Sequence, residues 1–254
     1  MAKVDFNKCF NAFILVGMTL VMIAATLLKL RDAQTGQAML VVAAFGSLMG
    51  VLSTVCSANA KILTFLFGLF DVTIYGVMCF LGGKYGNAAL HVLYFLPMQF
   101  IGFFQWKRRG ASSGADVQAR RLSPRQWVMY GAVFLAGLVL SYFLLLHISA
   151  GQAHDNVLKI AILMDALSMM CNILGQMLMS MAYMEQWFFW IGVNIASIVM
   201  WAATLSRSSD SYALIYLIKY SFYLLNSLNG LRIWLRLSRS GAALESAGNR
   251  NLEN

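Results

Sequence analysis

Residues 61–76 read KILTFLFGLFDVTIYG, an apolar run that begins at a lysine and holds a single acid, Asp71. The run continues to residue 82, so it reaches the roughly 20 apolar residues that a membrane-spanning helix needs. Of the 254 residues in the chain, 60% are hydrophobic and 11% are charged, whereas soluble domains average about 45–50% and about 25%. So few charges cannot cover the surface of a soluble protein. The sequence therefore predicts an integral membrane protein and excludes a soluble enzyme.

Apolar segments of similar length recur along the chain and predict an all-α membrane bundle with seven to eight spans. They lie near residues 12–30, 38–57, 62–82, 87–106, 126–149, 157–181, 187–205 and 212–235. The first segment either crosses the membrane or lies on its surface. The boundary between the sixth and seventh segments rests on Glu185 and Gln186, which interrupt an apolar stretch.

The net charge of +9 predicts which way the chain faces and indicates a lipid bilayer, with no nucleic-acid partner. Lys and Arg collect in the cytoplasmic loops of membrane proteins. With eight spans, thirteen of the nineteen bases fall on one side, six of them in the loop 107–125, and four fall on the other. Both termini and this loop are therefore predicted to be cytoplasmic. The loop contains Gly and Ser, and we expect it to be mobile.

Two short patterns occur twice and predict an internal repeat. FGLFD (67–71) and WIGVN (190–194) each place an aromatic residue four positions before an acid or amide. GFFQW (102–106) and GLRIW (230–234) share GxxxW. The offsets are 123 and 128 residues, which fits one duplicated unit of three helices. A single helix between the units would restore a parallel orientation, as in transporters that bind substrate between two halves.

The repeat predicts a 3+1+3 parallel-repeat bundle with one extra N-terminal helix. Its parts are an N-terminal segment (1–37), a first three-helix repeat (38–106), a basic cytoplasmic loop with a linking helix (107–156), a second three-helix repeat (157–236) and a disordered C-terminal tail (237–254).

Charged side chains inside the predicted spans need a reason, since each costs about 2.5–3.5 kcal/mol at the bilayer centre. Asp71, Asp165 and Lys219 are such residues. Helical spacing places further polar and aromatic residues on the same helix faces. The candidate substrate-binding residues are Asp71, Gln99, Gln176, Trp187, Trp190, Asn194, Tyr223 and Asn226.

Each candidate also has a purely structural interpretation. Lys219 could form an ion pair with Asp71 or Asp165, the asparagines could hydrogen-bond between helices, and Trp187 could lie at the membrane interface. Together, however, five helices with such faces favour a central pocket with stacking rings and amide groups. A pocket of this kind suits a ring compound that bears hydroxyls.

Motifs of common catalytic sites are absent from the sequence, which has no P-loop, no HExxH and no GxSxG. The four cysteines show no metal-ligand spacing. We therefore expect no enzyme activity, no metal and no cofactor.

Longer blocks resemble the PnuC family of vitamin transporters. KILTFLFGLFDVTIYG (61–76) and KYGNAALHVLYFLPMQFIGFFQWKRR (84–109) resemble the first half of that family, and EQWFFWIGVN (185–194) and NSLNGLRIW (226–234) resemble the second. The resemblance covers roughly residues 38–236.

The resemblance implies a fold like that of SWEET sugar transporters and a location in the bacterial inner membrane. It implies import of nicotinamide riboside by facilitated diffusion, with trapping by an intracellular kinase, and a homo-oligomer, a trimer in homologues. Two features depart from the family. Asp71 stands where the family commonly has Asn, and the segment 12–30 lies outside the 3+1+3 core.

This substrate gives the candidate residues roles. Trp190 and Trp187 would stack on the pyridinium ring, with cation–π attraction. Gln99, Asn194 and Asn226 would bond the carboxamide or the ribose, and either Asp71 or Glu185 would offset the positive charge. We expect exclusion of the mononucleotide, because Lys219 alone offers little to a phosphate.

Three alternatives stay open at the level of sequence. A relative could carry thiamine or riboflavin, whose rings would stack similarly. A proton-coupled symporter could use Asp71, Asp165 or His91. The chain could also be a structural or sensor protein without transport.

Overall fold

The computed structural model describes residues 5–31, 37–81, 85–112, 114–148, 156–207 and 211–250. In chain order the helices are α1 (Phe6–Arg31), α2 (Gln37–Ala58), α3 (Leu63–Leu81), α4 (Tyr85–Leu90), α5 (Leu96–Arg108), α6 (Pro124–Ile148), α7 (Asn156–Ser180), α8 (Gln186–Arg207) and α9 (Ser211–Arg250). Within these ranges the only strand-like pairing is an isolated bridge between Arg120 and Tyr183.

Seven helical segments of the described chain are long and apolar enough to cross a membrane. They are Phe6–Leu28, Ala38–Ala58, Leu63–Leu81, Asn87–Arg108, Pro124–Ile148, Ile162–Ser180 and Gln186–Ala203. The predicted all-α, multi-pass membrane protein is therefore confirmed, and the first seven predicted segments agree with these spans to within a few residues.

The last helix differs from the sequence prediction. The segment 212–235 falls in α9, which carries Lys219 and Asn226 and is not among the seven apolar spans. α9 remains helical to Arg250, so the part of the predicted tail from 237 to 250 is helical rather than disordered. Residues 251–254 lie outside the described residues.

A π-helical turn, His91–Phe95, joins α4 to α5. Pro97 is the second residue of α5 and has no N–H to donate to the preceding turn. The backbone N–H of Leu96 donates to the carbonyl of His91, five residues earlier, which is the wider π spacing. The three pieces form one membrane segment, and Gln99 stands two residues after the proline.

The two predicted halves meet along two helix pairs. α2 packs against α9, and α5 packs against α7. In each pair the first helix of one half contacts the last helix of the other. α1 packs beside them on α2 and α9, where Ile14 and Met18 are buried.

Crossed hydrogen bonds from two buried tryptophans tie the halves together. The indole Nε1 of Trp106 on α5 donates to the Met179 carbonyl at 2.8 Å, and that of Trp234 on α9 donates to the Ser57 carbonyl at 2.9 Å. Both indoles have no exposed surface, and their ring centroids are 5.4 Å apart. We call Trp106, Trp187 and Trp234 the tryptophan cluster.

The ends of α2 and α7 are capped in the same way. Ala60 and Ala182 have φ values of 55° and 60°, the left-handed conformation of a helix C-terminus. The N–H of Lys61 donates to the Cys56 carbonyl, and the N–H of Tyr183 donates to the Leu178 carbonyl, both at 2.9 Å. These 6→1 bonds form a matched pair of Schellman caps.

Two glycines also occupy matching places. A Cβ on Gly102 would lie 2.2 Å from the ring of Phe65, and one on Gly230 would lie 2.4 Å from the ring of Trp187. Both are the glycines of the GxxxW patterns, so the small residue admits a ring from the neighbouring helix. The 3+1+3 plan and the repeat boundaries stay predictions, and these matched contacts support them.

The loop after α5 is packed rather than mobile, contrary to the sequence prediction. We call residues 114–122 the strap. The strap's Val117 N–H donates to the Ala60 carbonyl at 3.3 Å, and its Arg120 N–H donates to the Ala182 carbonyl at 2.8 Å. Val117, Ala119 and Leu122 are buried. The strap therefore connects the capped ends of α2 and α7.

Phenylalanine at either indole tests the crossed arrangement. Trp106→Phe and Trp234→Phe keep a ring but remove one of the two donors to a buried carbonyl, at a cost of about 0.5–1.5 kcal/mol. We expect both variants to show similarly lowered midpoints in thermal unfolding in detergent. Trp127→Phe, which alters an exposed ring, is the control and should match the wild type. A normal midpoint for either core variant would contradict the arrangement.

Candidate functional site

A layer of buried amide side chains lies where the two halves meet. Gln99, Gln176, Asn194 and Asn226 are between 0% and 6% exposed, and they come from α5, α7, α8 and α9 respectively. Buried polar groups are nearly always hydrogen-bonded. The partners of these four amides therefore show which of their nitrogen and oxygen atoms are hydrogen-bonded within the protein and which are not.

Gln99 has one satisfied and one unsatisfied end. Its Nε2 donates to the Phe95 carbonyl at 3.3 Å, while its Oε1 is buried with no partner among the described residues. The amide lies against Gly68 of α3, where a Cβ would come within 2.5 Å of Oε1. Gly68 thus leaves the space in which this acceptor sits.

Asn226 links the halves and also keeps one acceptor unpaired. Its Nδ2 donates to the Thr54 carbonyl of α2 at 3.1 Å, whereas its Oδ1 is buried without a partner in the described chain. The neighbouring Ser53 donates through Oγ to the Thr64 carbonyl at 2.8 Å. The α2–α3 side of the layer is therefore polar.

Two further amides of the second half each donate to a serine hydroxyl. Asn194 donates through Nδ2 to the Ser227 hydroxyl at 3.0 Å, and Gln176 donates through Nε2 to the Ser180 hydroxyl at 3.3 Å. Ser180 in turn donates to the Met98 carbonyl at 3.2 Å, next to Gln99. Gln176 therefore connects to the first half through Ser180.

The two candidate tryptophans of α8 occupy different surroundings. Trp187 is 2% exposed, packs on Gly230 and contacts Trp234 edge to face at 6.4 Å. Its Nε1 is buried with no partner in the described ranges. Trp190 is only half-buried and lies with its ring against Gly175. The ring of Trp190 is therefore more accessible to a ligand than the ring of Trp187, which is packed inside the tryptophan cluster.

Asp71 lies one helical turn beyond this layer. A Cβ on Gly50 would come within 2.9 Å of its carboxylate, so α3 approaches α2 closely there. The carboxylate interacts electrostatically with Lys219 and with Tyr223 of α9. Tyr223 also packs against the apolar cluster that includes Ile14 and Met18 of α1.

Three ionisable residues considered in the sequence lie elsewhere. Glu185 is buried beneath the strap, where its Oε1 accepts the Leu122 N–H at 3.0 Å. Asp165 has an exposed side chain. The His91 ring bonds the Asn87 carbonyl at 2.8 Å within its own helix.

Several small hydroxyl residues that complete the layer were missed in the sequence. They are Ser53, Ser180 and Ser227. Serine in an apolar helix usually bonds a carbonyl of its own helix, so nothing in the spacing of Ser227 marks it as the partner of Asn194 on another helix.

The leftover atoms define what the site can bind. Gln99 Oε1 and Asn226 Oδ1 are acceptors, and Trp187 Nε1 is a donor. A ligand with amide or hydroxyl donors and one acceptor would satisfy them, with Trp190 offering a ring face. Among the described residues, no three of His, Cys, Asp or Glu lie close enough together to hold a metal ion.

Comparisons with known proteins agree with this architecture. The family model described as the nicotinamide mononucleotide transporter matches residues 40–236. A nicotinamide riboside transporter PnuC of Neisseria mucosa is 31% identical over 199 residues, covering 77% of this chain and 72% of that protein. One of the same name from Haemophilus influenzae is 31% identical over 238 residues, covering 92% and 95%.

A solved structure shows the same fold. The crystal structure of the vitamin B3 transporter PnuC matches with a TM-score of 0.65 and 28% identity, over 91% of this chain and 93% of that chain. The resemblance found in the sequence is confirmed by the family model, the relatives and the structure. The chain therefore belongs to the PnuC family of bacterial membrane transporters.

Proposed function

We propose that the chain imports nicotinamide riboside across the bacterial inner membrane by facilitated diffusion, with the substrate bound between the two halves. The names of its relatives support this substrate. The observation that carries the proposal is the set of buried, unpaired atoms on Gln99, Asn226 and Trp187, which a riboside can satisfy.

Each leftover atom matches a group of the substrate. The carboxamide NH₂ and the ribose hydroxyls are donors for Gln99 Oε1 and Asn226 Oδ1. The Trp187 indole donates to a carboxamide or ribose oxygen. Trp190 stacks on the pyridinium face, an attraction of about 0.5–2 kcal/mol. Asn194 and Gln176, held by Ser227 and Ser180, keep α8 and α7 in register with the site.

The direction of access follows from the closed end of the bundle. The tryptophan cluster is almost fully buried, and the strap lies over the capped ends of α2 and α7 beside it. The strap belongs to the basic loop, which we place in the cytoplasm with both termini by the positive-inside rule. The site is then shut toward the cytoplasm, and substrate enters from the opposite side. A homo-oligomer, by resemblance a trimer, is part of the proposal.

The mononucleotide is a poor fit because the layer offers a phosphate almost nothing. Arg232 is engaged by Asn7, Asn229 and the Phe6 ring. The Lys219 ammonium lies over the rings of Tyr216, Tyr220 and Tyr223. Exclusion of the mononucleotide also makes phosphorylation by an intracellular kinase an effective trap.

A binding titration with purified protein tests the substrate. We expect saturable binding of nicotinamide riboside, and binding of the mononucleotide weaker by at least about tenfold, since a phosphate would be desolvated without partners. Thiamine and riboflavin serve as competitors. Equal affinity for riboside and mononucleotide would overturn the exclusion. Tighter binding of another vitamin would change the substrate, and binding of none would favour a structural or sensor protein.

Gly68→Ala tests the role of Gln99 without touching the amide itself. The added Cβ would come within 2.5 Å of Gln99 Oε1, so the side chain must move away. Loss of the proposed hydrogen bond between Gln99 Oε1 and the riboside should weaken riboside binding by about three- to tenfold. Gly131→Ala, where a Cβ meets nothing within 4 Å, is the control. Equal affinities in both variants would remove Gln99 from the site.

Transport into proteoliposomes distinguishes facilitated diffusion from proton coupling. We expect riboside to equilibrate across the bilayer without accumulating, whatever pH gradient is imposed, because the layer consists of amides and hydroxyls. Accumulation that follows the gradient would show a symporter instead. Protein-free liposomes give the leak rate.

A further inference from the structure

An arginine near the end of α9 that we place in the cytoplasm has only neutral partners. Arg232 donates through Nη2 to Asn7 Oδ1 of α1 and, at 2.7 Å, to Asn229 Oδ1 of its own helix. Its guanidinium lies 4.7 Å from the centroid of the Phe6 ring. In the part of the chain that the structure describes, it forms no ion pair with an acid. Buried charges in proteins are usually paired, so this half-buried side chain lacks its usual kind of partner.

Two hydrogen-bond donors beside this charge are also unpaired. Arg232 Nε and Asn229 Nδ2 are buried and have no partner among the described residues. Asp5, the acid nearest to Asn7 in the sequence, is exposed and accepts the Asn7 N–H at 3.0 Å. One uncompensated positive charge with two unused donors is the complement of a phosphate or a similar anion.

An apolar groove lies along the same two helices. Its volume is about 510 Å³, and it is lined by Ala12, Phe13, Val16, Gly17, Leu20 and Phe222. A Cβ on Gly17 would come within 2.3 Å of the Phe222 ring, so glycine at this position lets the ring of α9 lie against α1. Since every lining residue is apolar, the groove suits a hydrocarbon chain.

A row of aromatic rings connects the arginine to the groove. Phe6 lies against Arg232. From Phe6 the ring centroids follow at 5.8 Å to Phe10, 6.4 Å to Phe13 and 5.4 Å to Phe222. Phe13 and Phe222 already belong to the groove. The charged and the apolar parts are therefore continuous along the boundary between α1 and α9.

The dimensions match a lipid of one leaflet. At 1.5 Å per residue, residues 12–20 lie roughly 8–20 Å along α1 from Asn7. One leaflet contributes about 15 Å, which is half of the roughly 30 Å hydrocarbon core. A phospholipid whose phosphate lies at Arg232 would therefore have its acyl chains at the depth of the groove.

We propose that α1 and α9 bind an anionic phospholipid of the cytoplasmic leaflet, with its phosphate on Arg232 and Asn229 and one acyl chain in the groove. Basic pockets between helices on the cytoplasmic side bind anionic head groups in other membrane proteins. The exposed bases Lys8 and Arg236 lie on the same two helices and add to the attraction.

This lipid site is separate from the amide layer. Phe6 and Asn7 belong to α1, which packs outside the two predicted halves on α2 and α9. The guanidinium therefore faces α1. The inference goes beyond the proposed function: it uses the cytoplasmic placement of the termini but does not depend on the riboside. It also gives α1, which lies outside the predicted repeats, a role in holding lipid.

Native mass spectrometry of the detergent-purified protein measures the affinity for phosphatidylglycerol. We expect the wild type to bind it at least about fivefold more tightly than phosphatidylcholine, whose head group carries a compensating cation. Arg232→Gln should weaken phosphatidylglycerol binding by about tenfold. Arg125→Gln removes an exposed base at the start of α6 and is the matched control, which should stay within about twofold of the wild type.

Ala12→Phe tests the groove independently of the charge. Ala12 is exposed and lines the groove, so a ring there would occupy the space of the acyl chain without disturbing the core. We expect phosphatidylglycerol binding to weaken by about three- to tenfold. Ala132→Phe makes the same change at an exposed alanine of α6 and should have no effect. This variant keeps the test decisive if Arg232→Gln folds poorly.

Three results would overturn the proposal. The first is an unchanged affinity for phosphatidylglycerol in both Arg232→Gln and Ala12→Phe. The second is displacement of the lipid by an equal concentration of glycerophosphoglycerol, its head group without chains, which would show a site for a free anion. The third is a change in oligomer mass in Ala12→Phe with lipid affinity intact, which would make the groove a contact with a second copy. None of these readouts involves the riboside, so a failure of the proposed function would be recognised separately.

Discussion

Two buried indole N–H groups, those of Trp106 and Trp234, donate to carbonyls of the opposite half, and these two bonds hold the halves together. Leaving such a donor unpaired costs about 1–3 kcal/mol. Trp106 and Trp234 use the carbonyls of Met179 and Ser57, each the penultimate residue of its helix. The last four carbonyls of a helix lack intrahelical donors. Each of these two carbonyls already accepts the N–H of its cap residue, Ala182 or Ala60, so the indole from the other half is its second donor.

The same arrangement determines where the bundle is closed. Because both indoles lie at the capped ends of α2 and α7, the halves are tied at that end, and the strap adds backbone hydrogen bonds to Ala60 and Ala182. The amide layer lies deeper, beyond the tryptophan cluster. There the buried acceptors of Gln99 and Asn226 remain unpaired within the described chain. Under the proposed function, these two acceptors are the ones that a riboside would pair.

Much of the fold could be predicted from the sequence because lipid imposes simple rules. A span needs a certain length of apolar residues, so seven of the eight predicted segments appear as apolar helices. The sequence showed the GxxxW glycines as a repeated pattern. It did not show why glycine is needed there, which is that an aromatic ring packs against each one. The strap was misjudged as mobile because its buried residues, such as Val117, are few and scattered among polar ones. The strap is held by backbone hydrogen bonds, which do not depend on residue type and so cannot be predicted from its composition.

The candidate site was predicted in part for a similar reason. Amides and acids are rare in apolar helices. Gln99, Asn226 and Asp71 could therefore be singled out by the free-energy cost of placing a polar side chain inside the membrane. Glu185 could not be separated from Asp71 by that reasoning, and only the packing shows it bonded beneath the strap. Ser180 and Ser227 escaped because a hydroxyl in a helix has a partner nearby by default.

The sequence by itself determined that this chain lies in a membrane, which residues are too polar to face lipid, and which two stretches share a pattern. These are properties of composition and local spacing, and they hold before any helix packs. Only the tertiary structure decided which polar atoms find partners and which glycine admits which ring. Those outcomes depend on contacts between α2 and α9 and between α5 and α7, helices far apart in the chain, and their distances follow from packing rather than from any local pattern.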